Sequence, residues 1–296
     1  MPLSTDPIFD PPFVVTEPVV QTAPVVLNAP HAGRCYPPEF LSQSRLSPLE
    51  LRRSEDAFVD LLVGPVTALG APMLHATFPR AWLDLNREPW ELDPKMFSGP
   101  LPAWANTRSP RVSGGLGVIP RVVAEGQEIW RERLSPEAAL RRIDTLYRPY
   151  HRALRRLVAR TQERFGAAVL VDCHSMPSSS TPRRFGPTPD IVLGDRFGSS
   201  CSGALTAFLA MRFQEAGFDV ACNIPYAGGF ITEHYGAPLA GRHAIQIEIN
   251  RGLYMDEETI TPAAGWDDVA ARLRAVLADF LAAAPELLPS RGLAAE

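Results

Sequence analysis

The chain has 296 residues, 46% of them hydrophobic, with 29 Lys+Arg against 33 Asp+Glu and a formal charge of −4. That balance argues against a nucleic-acid footprint, which needs a clustered basic excess, and no apolar run approaches the roughly 20 residues that cross a bilayer. Cys35, Cys173, Cys201 and Cys222 show no short regular spacing, which speaks against a disulfide framework or a Cys-rich zinc module, and with a Pro-rich, acidic start this predicts a soluble, cytoplasmic protein.

Residues 1 to about 22 read as an extended lead-in broken by prolines, and Val25-Val26-Leu27 as a short buried strand. A loop from Asn28 to Pro38 carries His31 and Gly33. Ser47-Pro48 supplies an N-cap with proline at the first helical position, and the spacing predicts a helix running on to Gly64-Pro65 with Glu55-Asp56 in its middle. Pro72 to Asn86 reads as one or two strands ending in LDLNR. From Glu88 to about Gln127 the pattern dissolves into a Pro- and Trp-rich excursion, expected to rim the site. An amphipathic stripe (Leu140, Ile143, Tyr147, Tyr150, Leu154, Leu157) predicts a helix from Ser135 to Gly166. Strands follow at Ala168–Val171, Ile191–Leu193, near Val220 and at Ala244–Asn250, with helices at about 200–216 and 267–284. This alternation, without internal repeat or linker, predicts one α/β domain over residues 1–296.

Three of the apolar runs lead to a residue that can bind a metal or move a proton: PVVLNAPHAG to His31, AVLVDCHS to His174 and HAIQIEINR to Glu248. In open α/β sheets, residues at the carboxyl ends of strands converge on the ligand crevice. Two imidazoles and a carboxylate there are the raw material of a catalytic zinc site, which takes three protein ligands and leaves a position for water. His31 has a bland alternative as a loop imidazole, and His174 as a core histidine bonded to Asp172. Glu55, Asp56 and Asp60 are each open as the third ligand; on a helix Glu55 and Asp56 would project about 100° apart. Glu248 shares a strand face with the uncharged Gln246 and Asn250 and suits a general base, against the alternative of an ion pair with Arg251 or Arg242. Asn86-Arg87 suits a substrate carboxylate, which arginine binds through two parallel bonds.

The segments APHAG, SEDAFVD, LDLNR, VDCHSMP, GGFITEHYG and HAIQIEINRGLYMD, in this order over residues 25 to 260, resemble the N-formylglutamate amidohydrolase family. The resemblance implies a three-layer, zinc-peptidase (metallocarboxypeptidase)-like α/β fold with a mixed central sheet flanked by helices. It implies one Zn2+ held by His31, Asp56 and His174, with Glu248 as the catalytic residue. Substrate binding would fall to Asn86, Arg87, Arg80 (or Arg34) and Thr232. The implied reaction is zinc-dependent cleavage of the formamide bond of N-formyl-L-glutamate, or of a related N-acyl amino acid, as in histidine degradation. Other readings are another small amide on the same zinc site, a metal-free acyl transfer using Cys173 or Ser175, and a binding protein that keeps the pocket without turnover. The expected partner is a small molecule, with neither nucleic acid nor membrane; the sequence is silent on oligomeric state.

Overall fold

The computed structural model describes residues 8–124, 126–181 and 186–288, so the first seven residues of the lead-in and one position of the irregular excursion lie outside the described residues. Its main sheet comprises β1 (Phe13–Thr16), β2 (Val25–Ala29), β3 (Met73–Ala76), β4 (Ala168–Met176), β5 (Ile191–Gly194), β6 (Val220–Cys222) and β7 (Arg242–Asn250). The strand order is β1-β3-β2-β4-β7-β5-β6. Strands β2, β4 and β7 are parallel neighbours, whereas β5 runs antiparallel to β7 and parallel to β6, which makes the sheet mixed. β2, β4 and β5 are buried along their whole length. Strands covered on both faces carry continuous apolar blocks rather than strict alternation, which is why Val25–Leu27 and Val169–Val171 are so conspicuous in the sequence.

The chain divides into two compact units. The larger, residues 15–29, 58–74 and 154–296, contains β2 and β4 to β7. Helices Val59–Val63, Gly203–Glu215 and Phe230–Tyr235 flank its strands, and Trp266–Leu287 packs against the first two of these helices. Leu205, Leu209 and Phe213 on the second of these, and Leu273, Leu277 and Phe280 on the last, are buried. The smaller unit, residues 1–14, 30–57 and 75–153, is organised around aromatic rings. Phe40 lies edge-on to Trp82 at 5.0 Å and tilted against Trp130 at 5.4 Å. The buried guanidinium of Arg142 sits 3.3 Å over the Trp82 ring, where the π face partly replaces lost hydration.

Local structure departs from the sequence-based expectation in three places. The helix opened by Ser47 has its capping box with Glu50 but covers only Pro48–Arg52; residues 53–58 turn before Val59–Val63 begins, so Glu55 and Asp56 are not helical. LDLNR is a turn, not a strand end, because the Asp84 carboxylate captures the backbone N–H of Asn86 at 2.8 Å. The helix from Ser135 consists of Pro136–Arg142 and Arg148–Phe165 joined by a π turn, Ile143–Tyr147. At the end of that turn the Tyr147 hydroxyl donates to the Arg87 carbonyl at 2.7 Å, and one turn further on Nε2 of His151 donates to that of Leu85 at 3.0 Å.

Candidate metal centre and active site

His31 lies just past β2 in a loop that runs against the Thr77–Phe78 backbone. A Cβ on Gly33 would fall 1.9 Å from the Phe78 carbonyl oxygen, so only glycine permits this path. Asp56 joins the same loop through its backbone: its N–H donates to the His31 carbonyl at 3.0 Å. The carboxylate oxygen Oδ2 of Asp56 faces Nδ1 of His31 at 3.3 Å. On its other side, His31 Nε2 meets Asp84 Oδ1 at 2.8 Å. The network assigns the proton to Nε2, so the two atoms facing each other across 3.3 Å both carry lone pairs. That juxtaposition is the chemistry of a cation site, since a shared positive centre removes the repulsion.

β4 delivers His174. Asp172, two residues earlier on the same strand face, accepts from His174 Nε2 at 2.9 Å through Oδ2 and from the Asn28 amide at 2.7 Å through Oδ1. Both imidazoles are therefore steered through Nε2 by a buried carboxylate, the outer partnership that fixes tautomer and ring orientation in metal sites. The bland reading of His174 as a core histidine on Asp172 and the functional one describe the same contact. Among the described residues, His31, Asp56 and His174 form a buried group able to hold a metal ion, each offering a ligand atom within 4.8 Å of the others'. Glu55 is buried too, but its carboxylate meets Arg52 Nε at 3.1 and 3.2 Å. Burial raises its pKa, with Tyr36 and Arg52 pulling the other way.

Sheet register pairs His174 on β4 with Glu248 on β7, and Asp172 with Gln246. Gln246 donates through Nε2 to Glu248 Oε1 at 2.7 Å and accepts the Gly229 N–H at 3.0 Å. The Thr232 hydroxyl donates to the Gly229 carbonyl at 2.8 Å, and Gly228, at φ +115°, leaves no room for a Cβ beside that hydroxyl. Thr232 and Gln246 thus hold the GGF turn from two sides, with Gln246 passing the constraint on to Glu248. Arg251 donates to the Ser175 hydroxyl at 3.0 Å. Cys173 points away from the His174 face, and burial, then the Asp172 charge, raises its thiol pKa far above the ordinary range. A thiolate beside His174 has no support in this geometry.

The LDLNR turn gathers the candidate carboxylate-binding groups around Asp84. Its Oδ2 accepts from Arg80 Nε at 2.9 Å and faces Arg87 Nη2 at 3.5 Å. Burial pushes the Asp84 carboxyl up, but Arg80 and Arg87, then His31, outweigh it and hold it well below the usual carboxylate range. Burial lowers Arg87 to about 10, Asp84 opposing, so it is still cationic at neutral pH. Arg87 Nε and Nη1 donate to the carbonyls of Leu116 and Asn86, each at 2.8 Å. Asp84 is the site residue that sequence reasoning misses; its signal is the Asp-x-Asn spacing, which favours a side-chain-capped turn.

The mixed sheet, its flanking helices and the buried His–Asp–His group define an α/β protein with a candidate metal centre. The chain belongs to the N-formylglutamate amidohydrolase family, whose model matches residues 23–255. It is 36% identical over 217 residues to the N-formylglutamate deformylase of Pseudomonas aeruginosa, covering 72% of this chain and 74% of that one. Its structure resembles the crystal structure of N-formylglutamate amidohydrolase from Ralstonia eutropha JMP134 with a TM-score of 0.85 at 34% identity, covering 92% and 98% of the two chains. A gene product of Agrobacterium tumefaciens shares the fold at 20% identity, with a TM-score of 0.67 and 94% of each chain covered.

Proposed function

We propose that the protein is a zinc-dependent amidohydrolase that cleaves N-formyl-L-glutamate to formate and glutamate. The observation that carries this reading is the convergence of His31, Asp56 and His174 on one buried point, in a chain whose relatives are N-formylglutamate deformylases. Two neutral imidazoles and a carboxylate are a donor set that suits Zn2+ and leaves a position for water. When bound, zinc supplies Lewis acidity and acidifies water towards a pKa of about 7.

The chain's own residues do the rest. Asp84 and Asp172 keep both imidazoles in the tautomer that presents Nδ1. Glu248, oriented through Oε1 by Gln246, accepts a proton from the attacking water and returns it to the departing nitrogen. Arg87 and Arg80 bind substrate carboxylate, and Asn86, at the tip of the Asp84-capped turn, adds an amide donor. Thr232 acts on the pocket by holding the Gly229 carbonyl. The test combines metal analysis with formate release over a panel of N-formyl amino acids. A zinc-loaded enzyme with Glu248→Gln should bind zinc normally and lose about 10²–10⁴-fold in turnover. Full activity in that variant removes Glu248 from the role, and a zinc-loaded wild type inactive on every formyl substrate removes the substrate assignment.

A further inference from the structure

We propose that Asp84 is a positioning residue that couples the metal centre to the substrate-carboxylate site, so that occupancy of one tightens the other. The inference rests on the function proposed above and concerns a residue to which that reading gives no contact with substrate. The observation is the division of one carboxylate between two tasks. Asp84 Oδ1 holds the imidazole of His31 at 2.8 Å, and Oδ2 holds Arg80 at 2.9 Å and faces Arg87 at 3.5 Å. The group is almost fully buried, with 1% of its surface exposed, so solvent does not screen one task from the other. Its single negative charge is shared by three donors that compete for it.

The coupling has a definite sign. A cation on Nδ1 of His31 makes the ring a stronger donor at Nε2, which draws the Asp84 charge towards His31. The pull on Arg80 and Arg87 weakens, and their guanidiniums are left with more positive charge for an incoming carboxylate. By linkage, a dicarboxylate bound to the arginines returns Asp84 to His31 and tightens metal binding by the same factor. Asp172 serves as the internal comparison. It steers His174 in the same way, but its hydrogen bonds go to Asn28 and His174, not to the arginines.

Zinc affinity, measured by competition with a chromophoric chelator, and glutarate affinity of the metal-free protein, measured by calorimetry, separate this role from a structural one. Asp84→Asn keeps an acceptor for His31 but removes the charge. It should weaken zinc about 10- to 100-fold, the range for loss of an outer partner of a ligating histidine. It should tighten glutarate binding to the metal-free protein by roughly fivefold or more, the low end of coupling between linked sites. Asp172→Asn should weaken zinc alone. If Asp84→Asn does not fold, Arg80→Gln carries the test: with one competitor for Oδ2 gone, zinc should bind several-fold more tightly. A variant at position 84 that weakens zinc alone, weakens both ligands, or changes neither overturns the coupling and leaves the metal centre standing; so does unchanged zinc affinity in Arg80→Gln. A wild-type protein that binds no zinc overturns the proposed metal centre itself, and the coupling falls with it.

Discussion

Replacing Gly33 by alanine tests how closely the His31 loop must approach the neighbouring backbone. The new methyl would lie 1.9 Å from the Phe78 carbonyl oxygen and 2.5 Å from its carbon, where ordinary contact begins at 3.4 Å. The loop must therefore retreat by about 1.5 Å (3.4 − 1.9), because backbone on the other side cannot swing aside. Two residues on, the Cys35 N–H donates to the Thr77 carbonyl at 3.0 Å, and the same retreat would stretch it to about 4.5 Å, beyond hydrogen-bond range. Crowding costs about 1–3 kcal/mol and the lost bond about 1 kcal/mol, which together destabilise the fold by about 2–4 kcal/mol. Calorimetry should show a melting temperature roughly 3–6 °C lower. His31, two residues before the glycine, would slip on Asp84, and zinc affinity should fall about 10- to 100-fold. A Gly33→Ala protein with wild-type melting temperature and zinc affinity would refute the claim that this close approach positions His31.

Other expectations follow from the same geometry. Arg87→Ala should lower kcat/KM on N-formylglutamate on the order of 100-fold, mostly through KM. Arg87→Lys should recover little of it, since an ammonium reproduces neither the two carbonyl bonds nor the planar fork. Cys173→Ala should keep turnover within about twofold while costing about 1 kcal/mol of stability, and a tenfold loss at unaltered zinc content would point to thiol chemistry instead. Burial lowers the His243 pKa below 6.5, and its Nδ1 accepts the Ser202 N–H at 3.2 Å, which needs the neutral ring. The unfolded chain then takes up the proton first, so this contribution to stability is present above about pH 6.5 and is lost as pH falls towards the lower, folded value. His243→Gln should flatten the decline of melting temperature between pH 7 and pH 5; an unaltered slope would show that His243 does not titrate this way.

Strand positions are legible because burial on both faces demands uninterrupted apolar blocks, and a block such as AVLV leads straight to a buried strand. His31, His174 and Glu248 stand out for the same reason: each is a polar residue at or just past such a block. The 47–64 segment misleads because Leu51, Phe58 and Leu62 keep a helical rhythm while the backbone between them does not. Phe58 takes φ +66°, a choice that no side-chain pattern encodes, and the turn before it carries Asp56. LDLNR misleads by its alternation, since Asp84 prefers its own backbone and two arginines to a strand. What local pattern cannot convey is how one carboxylate is shared among distant donors: His31 and Asp84 are 53 positions apart, and nothing at either position announces the other.

The π turn at Ile143–Tyr147 amounts to a surplus residue in an otherwise uniform spiral, and it rotates all that follows by about 100°. Tyr147 and His151 clasp the backbone of Leu85 and Arg87 only in that rotated phase. Asp144 within the turn is exposed and would tolerate many side chains, yet excising it should let the spiral relax and swing His151 off its carbonyl. At position 144 the presence of a residue is constrained more tightly than its identity, so its deletion would be felt at the arginine turn while most substitutions of Asp144 would pass unnoticed; the buried Ile143, Leu146 and Tyr147 have no such latitude.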